Sequence, residues 1–220
     1  RGRNRSRPAP AGRSSGRGAA RTSPHHGTLS PARACRYRLG MAAGREVGEG
    51  IDRLQWAVRG LGLSGDERVL EIGPGHGVAV THVCQILTSG SIVAVDRSAK
   101  MVAAAKSRNS DFVDAGKVTI IEGTVSDLDP AVHSFDRVLA ARVRHFISDP
   151  ELVLGPLAPL MAPGGELHVV FDSPSSKGLE ETGDSIARPL DTHGFRLERI
   201  EIERDPAFSA GRVVATCSPG

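Results

Sequence analysis

Between residues 66 and 217 the chain alternates short apolar runs with longer amphipathic segments. The short runs, rich in β-branched residues, predict strands at 68–72, 91–95, 118–121, 135–139, 166–171, 195–203 and 212–216. Apolar positions spaced three and four residues apart predict helices at 77–88, 98–108, 149–161 and 178–193. Strand and helix in alternation are typical of a parallel sheet covered by helices on both faces.

The last two predicted strands break this alternation, because only a loop with Pro206 and Gly211 separates them. Two strands with no helix between them pair antiparallel. We therefore predict an α/β fold with a doubly wound, mostly parallel sheet of seven strands that ends in a C-terminal antiparallel hairpin.

A further amphipathic helix is predicted at residues 46–63, ahead of the first strand. Trp56 lies on its flank, and glycines at 60, 62 and 65 would end it. Its apolar positions recur every three or four residues, at Val47, Ile51, Leu54, Val58 and Leu61.

The first 40 residues differ sharply in composition from the rest of the chain. They contain ten arginines and no acidic residue, so residues 41–220 carry a net charge of −7 within the total of +3. Such a segment buries too little apolar surface to fold, which predicts a disordered basic leader at 1–40. It could be a nucleic-acid-binding arm, an organellar transit peptide, or sequence translated ahead of a start at Met41. One folded domain is predicted over 41–220, with its core at 66–217.

Charge and composition narrow the possible partners. A net negative domain argues against a nucleic-acid groove, so a small-molecule partner is favoured. No apolar run approaches the ~20 residues that span a bilayer. Three cysteines without CxxC spacing and histidines without ligand spacing predict a cytoplasmic protein with no metal site. The sequence does not indicate an oligomeric state.

The most informative segment is the glycine-rich turn after the first core strand. Gly73, Gly75 and Gly77 alternate there, preceded by Glu71. Glycine lets backbone amides approach a ligand closely, and the following helix N-terminus favours an anionic group. Asp96 ends the next strand, where a carboxylate can accept hydrogen bonds from both hydroxyls of a ribose. Together these residues predict a nucleoside ligand with an attached charged group.

The detail of the loop decides between nucleosides. A dinucleotide fingerprint would need Gly or Ala where Val78 stands, which argues against NAD. The spacing of Gly73, Gly75 and Gly77 after Glu71 instead resembles the first motif of class I S-adenosylmethionine-dependent methyltransferases. The resemblance covers about residues 46–216 and implies a Rossmann-like fold. It also implies S-adenosylmethionine as cofactor and methyl transfer to a small-molecule acceptor.

Further segments resemble this family in the same order along the chain. Residues 96–101 resemble its second motif, 122–125 its adenine-edge segment, 135–146 its fourth-strand motif, and 157–165 its Pro-Gly-Gly turn. Thr124 stands where Asp is common, and Arg142 where Asn is common. The cofactor-binding residues that the resemblance implies are Glu71, Gly73, Pro74, Gly75, Gly77, Asp96, Arg97, Met101, Gly123, Thr124, Val125 and Ala140.

Two residues after the fourth strand are candidates for catalysis. His145 could accept a proton from the acceptor, or it could simply pack in its loop. Arg142 could bind an anionic acceptor, or it could be a solvated charge. The helix at 46–63 is expected to form a lid over the acceptor. The alternative functions are a non-catalytic S-adenosylmethionine-binding regulatory domain and an NAD-dependent oxidoreductase; nucleic-acid methylation rests on the basic leader alone.

Overall fold

The computed structural model describes residues 37–40, 52–205 and 208–217. Its strands are β1 (Tyr37–Gly40), β2 (Arg68–Ile72), β3 (Ser91–Asp96), β4 (Val118–Glu122), β5 (Phe135–Ala141), β6 (Met161–Asp172), β7 (Phe195–Arg204) and β8 (Ser209–Cys217). Its α-helices are α1 (Arg53–Arg59), α2 (Val78–Ile86), α3 (Ala99–Arg108), α4 (Ser110–Asp114), α5 (His145–Ser148), α6 (Glu151–Leu157) and α7 (Ser176–Ala187). Short 3₁₀ turns lie at Val125–Asp127, Ala158–Leu160 and Asp191–His193.

The strands form one sheet in the order β1-β7-β8-β6-β5-β2-β3-β4. Every neighbouring pair is parallel except those of β8, which runs antiparallel to both β6 and β7. The predicted mostly parallel sheet with a C-terminal antiparallel hairpin is therefore confirmed, and all seven predicted strands are present. The hairpin folds back so that its second strand, β8, inserts between β6 and β7.

An eighth strand in the described part of the chain lies where the sequence predicted a leader without structure. Tyr37–Gly40 pairs in parallel with β7, with Tyr37 opposite Ile200 and Gly40 opposite Glu203. The backbone groups on the open edge of β7 can pair with a neighbouring segment of almost any composition. The expectation of disorder therefore does not hold for these four residues, and residues 1–36 lie outside the described part of the chain.

Two apolar layers cover the two faces of the sheet. On one face, buried side chains of α1, α2 and α3 pack on alternate residues of the central strands, such as Val69 and Leu139. On the other, α5, α6 and α7 pack on the intervening residues, such as Leu70 and Val138. Since successive strand residues point to opposite faces, strands buried on both sides are mostly apolar, and in β2 the buried Glu71 is the exception.

Helix α1 is shorter than predicted at both ends. Asp52 caps its first turn, accepting from the Gln55 backbone NH at 2.8 Å, so the helix begins at Arg53 rather than at residue 46. It ends at Arg59 rather than at residue 63, with Gly60 as its C-cap. A Cβ at Gly60 would lie 1.2 Å from a guanidinium nitrogen of Arg212, so the packing of Arg212 requires glycine at this position. Val47 and Ile51 lie outside the described residues.

Arg212 attaches α1 to the sheet. Its guanidinium is buried, donates to the Trp56 carbonyl at 2.7 Å and lies 4.1 Å from the centre of the Trp56 ring. Burial lowers the pKa of Arg212 to about 10, and the Glu201 carboxylate, 3.2 Å away, opposes that shift. Trp56 is therefore occupied in packing on the sheet.

Three local predictions need correction. The Pro-Gly-Gly turn lies inside β6, where the ladder to β5 shifts register between Phe135 and Arg137. Gly211 belongs to β8 and not to the hairpin loop, and glycine is needed there because the Phe171 ring fills the space of a side chain. The helices predicted at 149–161 and 178–193 each end in a separate 3₁₀ turn, while α4 and α5 were not predicted. Pro206 lies outside the described residues.

Candidate active site

The candidate site lies where the strand order of the sheet reverses direction. From β2 the chain proceeds to β3 and β4 on one side, and then returns to β5 and β6 on the other side of β2. In open α/β sheets, ligands bind in the crevice outside the carboxyl ends of the strands at such a point. Two cavities open there, of about 530 and 600 Å³, which we call the nucleoside cavity and the acceptor cavity.

The glycine loop connects β2 to α2 along these cavities. Gly73, Gly75 and Gly77 all have left-handed φ angles, of 69°, 55° and 75°. The buried Asn109 side chain holds the loop from behind, donating to the Gly77 carbonyl at 3.0 Å. A Cβ at Gly77 would meet that Asn109 side chain at 2.6 Å, whereas a Cβ at Gly75 would meet no atom within 4 Å. The open side of the loop is thus at Gly75.

We expect alanine at these glycines to have separable effects. Gly77→Ala should lower the free energy of unfolding by about 2–4 kcal/mol, because backbone strain and a steric clash add. Gly75→Ala should cost about 1 kcal/mol of strain and weaken binding of S-adenosylhomocysteine at least tenfold, because its Cβ enters the open space. Urea unfolding and calorimetric titration measure the two effects.

Gly116→Ala is the matched control, since Gly116 has φ 68°, meets no atom within 4 Å and lies outside both cavities. It should cost about as much stability as Gly75→Ala, since the backbone strain is alike, and leave binding unchanged. Wild-type affinity in Gly75→Ala would show that no ligand approaches the loop at that position.

Asp96 stands at the end of β3 and faces the nucleoside cavity. Its carboxylate accepts from the backbone NH groups of Gly75 at 3.2 Å and Ser98 at 3.0 Å. These bonds fix the carboxylate beside the glycine loop. The same cavity is lined by five other predicted cofactor residues: Gly73, Arg97, Gly123, Thr124 and Val125.

Thr124 is bonded within its own turn. Its backbone NH and hydroxyl both donate to one carboxylate oxygen of Asp127, at 2.7 and 2.8 Å. These bonds lower the pKa of Asp127, which the sequence analysis did not single out. The Thr124 hydroxyl is thus oriented by a carboxylate three residues further along the chain.

Glu71 is a buried carboxyl group at the floor of the acceptor cavity. Its Oε2 atom has no hydrogen-bond partner among the described residues. Burial, and secondarily the negative charge of Asp96, raise the pKa of Glu71 to about 8. A cationic group in this cavity could therefore bind the Glu71 carboxyl group, whose Oε2 atom has no protein partner among the described residues.

Side chains that the sequence analysis did not identify line the rest of the acceptor cavity. Asp172, at the end of β6, accepts from Arg53 of α1 at 2.6 Å and lies 3.3 Å from Nε of Arg142. Arg144 and Ile147 also line this cavity. The one signal available for Asp172 was its position just after a predicted strand, where site residues of α/β folds collect.

The remaining predicted site residues are placed as follows. Pro74 lines the acceptor cavity, Arg142 lines both, and His145 lines the nucleoside cavity, away from Glu71. Gly77, Met101 and Ala140 line neither cavity. Ala140 is fully buried inside the sheet because it points into the apolar layer between β5 and the helices.

Helix α1 borders the acceptor cavity through Arg53 and Leu54, not through Trp56. Its predicted action as a lid stays a prediction. Within residues 52–205 and 208–217, no group of three or more His, Cys, Asp or Glu side chains could hold a metal ion. No helix in that part of the chain is long and apolar enough to cross a membrane.

Sequence comparison adds a match to a known domain family. Residues 70–167 match the methyltransferase domain family. The ubiquinone/menaquinone biosynthesis C-methyltransferase of Cellvibrio japonicus is 24% identical over 152 residues, 67% of this chain and 58% of that protein. The chain spans between 25% and 58% of the length of the curated relatives it matches.

Solved structures share the fold. An S-adenosylmethionine-dependent methyltransferase from Aquifex aeolicus superposes with a TM-score of 0.58 at 18% identity, over 75% of this chain and 89% of that one. Magnesium protoporphyrin IX methyltransferase from Synechocystis, with bound S-adenosylhomocysteine, superposes with a TM-score of 0.55 at 19% identity. The superposition covers 78% of this chain and 90% of that one. Residues 70–167 therefore match a methyltransferase domain, and the chain shares the fold of S-adenosylmethionine-dependent methyltransferases.

Proposed function

We propose that this protein transfers the methyl group of S-adenosylmethionine to a small-molecule acceptor. The observation that carries the proposal is the buried Glu71 carboxyl group, which has no partner for Oε2 among the described residues and faces the cavity beside Gly75. An amino-acid moiety offers the ammonium group that would satisfy Glu71, and backbone NH groups of the glycine loop would face its carboxylate. Asp96 would then accept from the ribose hydroxyls in the adjoining cavity.

The residues shared by both cavities define where transfer would take place. Gly73, Arg142, Val143 and Arg144 line both, so a ligand that fills both cavities passes these four residues. When bound, the cofactor supplies a methyl group that its sulfonium activates. The protein's contribution is to hold the acceptor in line at near-attack distance. A base is needed only for an acceptor that is still protonated, and His145 is our candidate for that role.

The acceptor cavity supports a small acceptor. Its volume of about 600 Å³, which the amino-acid moiety of the cofactor would share with the acceptor, lies within the ~300–1,000 Å³ typical of small-molecule sites. Two relatives, by their names, also act on small molecules: a C-methyltransferase of ubiquinone/menaquinone biosynthesis and magnesium protoporphyrin IX methyltransferase. A cytoplasmic location remains a prediction from the cysteine usage.

Calorimetric titration with S-adenosylhomocysteine and with NAD tests the cofactor. We expect saturable binding of S-adenosylhomocysteine and none of NAD, because Val78 stands where a dinucleotide loop needs a smaller residue. Binding of NAD alone would refute the proposal in favour of an oxidoreductase.

Turnover is tested separately, by incubating the protein with S-adenosylmethionine and a metabolite extract and measuring S-adenosylhomocysteine release by mass spectrometry. We expect release above that of S-adenosylmethionine in extract alone. Cofactor binding without release, across extracts in which a known methyltransferase turns over, would favour the non-catalytic regulatory domain.

A further inference from the structure

We propose that the methyl acceptor is an anion, and that its carboxylate or phosphate group binds the guanidinium groups of Arg142 and Arg144 where the two cavities meet. This inference rests on the proposed function, because it concerns the acceptor of that reaction. Both arginines follow β5 and line both cavities. An anion held between them would therefore lie next to the transferred methyl group.

Arg142 is held in an unusual backbone conformation. It is the non-glycine residue of the described chain with a positive φ, at 62°, and its backbone NH donates to the Val170 carbonyl at 2.8 Å. A left-handed conformation costs a non-glycine residue roughly 1–2 kcal/mol and persists only where the surroundings impose it. Here it turns the chain at the carboxyl end of β5, directly over the crevice.

Asp172 fixes the Arg142 side chain from one side. The carboxylate contacts Nε of Arg142 and is itself held by Arg53 at 2.6 Å. The two terminal nitrogen atoms of Arg142 form no hydrogen bond with the described residues, and its side chain is 60% exposed. A guanidinium held through Nε presents its terminal NH groups as a fork that matches a carboxylate or phosphate.

The charges around the acceptor cavity are not balanced by the protein. Arg53, Arg142 and Arg144 contribute three cationic groups, against Asp172 and Glu71. Burial raises the pKa of Glu71 to about 8 in the free protein, and the ammonium group that the proposed function places beside Glu71 would offset its charge in the bound one. Arg144 is exposed and has no ion-pair or hydrogen-bond partner for its side chain within residues 52–205 and 208–217. The excess positive charge would attract an anion.

The other walls of the cavity indicate an apolar body for this anion. Val143, Phe171 and Ile186 line it together with Ile147, which is 51% exposed at the surface. An exposed branched side chain beside a ligand cavity can bury its surface against a bound molecule. The acceptor would thus combine an apolar part with one anionic group.

The test uses benzoate and inorganic phosphate as anionic probes and benzamide as the neutral counterpart of benzoate. Each is titrated by calorimetry, at constant ionic strength, into full-length protein saturated with S-adenosylhomocysteine. We expect at least one anion to bind saturably and benzamide to bind at least tenfold more weakly than benzoate if benzoate is that anion. Preference for benzoate identifies a carboxylate acceptor, and preference for phosphate a phosphorylated one.

The double variant Arg142→Gln/Arg144→Gln should weaken anion binding at least tenfold. The matched control Arg59→Gln/Arg188→Gln removes the same charge outside both cavities and should not change it. Arg144→Gln alone, at an exposed position, serves if the double variant does not fold. The inference fails if neither anion binds saturably, if benzamide binds as well as the anions, or if the arginine variants bind like the wild type.

A prior titration with S-adenosylhomocysteine distinguishes a failure of the anionic-acceptor inference from a failure of the proposed function. If that ligand binds but the anions do not, only the anionic acceptor is refuted. If it does not bind, the cofactor assignment fails whatever the anions do, and the anion titration is then made on the free protein.

Discussion

Replacing Asp96 with alanine should raise the dissociation constant of S-adenosylhomocysteine at least about a hundredfold. Two ribose hydroxyls donating to one carboxylate form charge-assisted hydrogen bonds, each of which contributes about 1.5–3 kcal/mol. The carboxylate also orders the loop through its bond from the Gly75 backbone NH, so its loss removes a second contribution. Calorimetric titration of both proteins measures the change.

Asp136→Asn provides the matched control for Asp96. Asp136 belongs to the central strand β5 but accepts from the backbone NH of Arg68 near the amino ends of the strands, whereas the cavities lie at their carboxyl ends. The control should bind S-adenosylhomocysteine like the wild type. Asp96→Asn, which keeps one acceptor oxygen, should fall between wild type and Asp96→Ala. If Asp96→Ala bound with wild-type affinity, the carboxylate would not hold the ribose.

Glu71→Gln should remove a large part of the pH dependence of stability. Because burial raises the pKa of Glu71 to about 8 from an ordinary value of 4.5, the folded protein binds this proton more tightly than the unfolded chain. The contribution of Glu71 to the free energy of unfolding is therefore largest below about pH 4.5 and falls as the pH rises towards 8. Above the folded-state pKa it stays at its lowest value. The full loss is at most roughly 5 kcal/mol.

Urea unfolding of wild type and Glu71→Gln between pH 5.5 and 9, without ligand, measures this effect. The difference between the two proteins separates the contribution of Glu71 from that of every other ionisable group. The free energy of unfolding of the variant should rise relative to that of the wild type as the pH rises. The variant should also bind S-adenosylhomocysteine more weakly, since a neutral amide is a poorer partner for an ammonium group. Parallel stability curves would mean that Glu71 ionises as an ordinary surface carboxylate.

The sequence was sufficient for the elements that depend on local patterns. Most of the predicted strands are short apolar runs between turn residues, which can be buried on both faces of a sheet, and all seven are present. The glycine loop could also be predicted from the sequence, since glycine is favoured where the backbone takes left-handed φ angles, as it does at all three alternating glycines.

Predictions failed where a distant residue set the outcome. Helix α1 ends at Gly60, three residues before its predicted end, and the Arg212 guanidinium from the last strand occupies the space of a side chain there. Gly211 reads as a loop residue but is in a strand, where Phe171 packs over it. No pattern within a window of ten residues contains either contact.

The same division applies to the candidate site. The glycine loop and Asp96 could be predicted, because short sequence patterns indicate turns and the ends of strands. The ion pairs of Asp172 with Arg53 and Arg142 could not, because Arg53 is 119 positions from Asp172 in the chain. Only the order of strands brings the ends of β5 and β6 beside α1.

By itself, then, the sequence determined the alternating α/β pattern, the glycine loop and the two acids, Glu71 and Asp96, at the ends of adjacent strands. The tertiary structure decided the insertion of β8 between β6 and β7, the burial that raises the pKa of Glu71, and the cluster of arginines around the acceptor cavity. The physical reason is the sequence distance over which each interaction acts. Hydropathy and turn preferences act over a few residues, whereas desolvation and ion pairing depend on which distant segments the fold brings together.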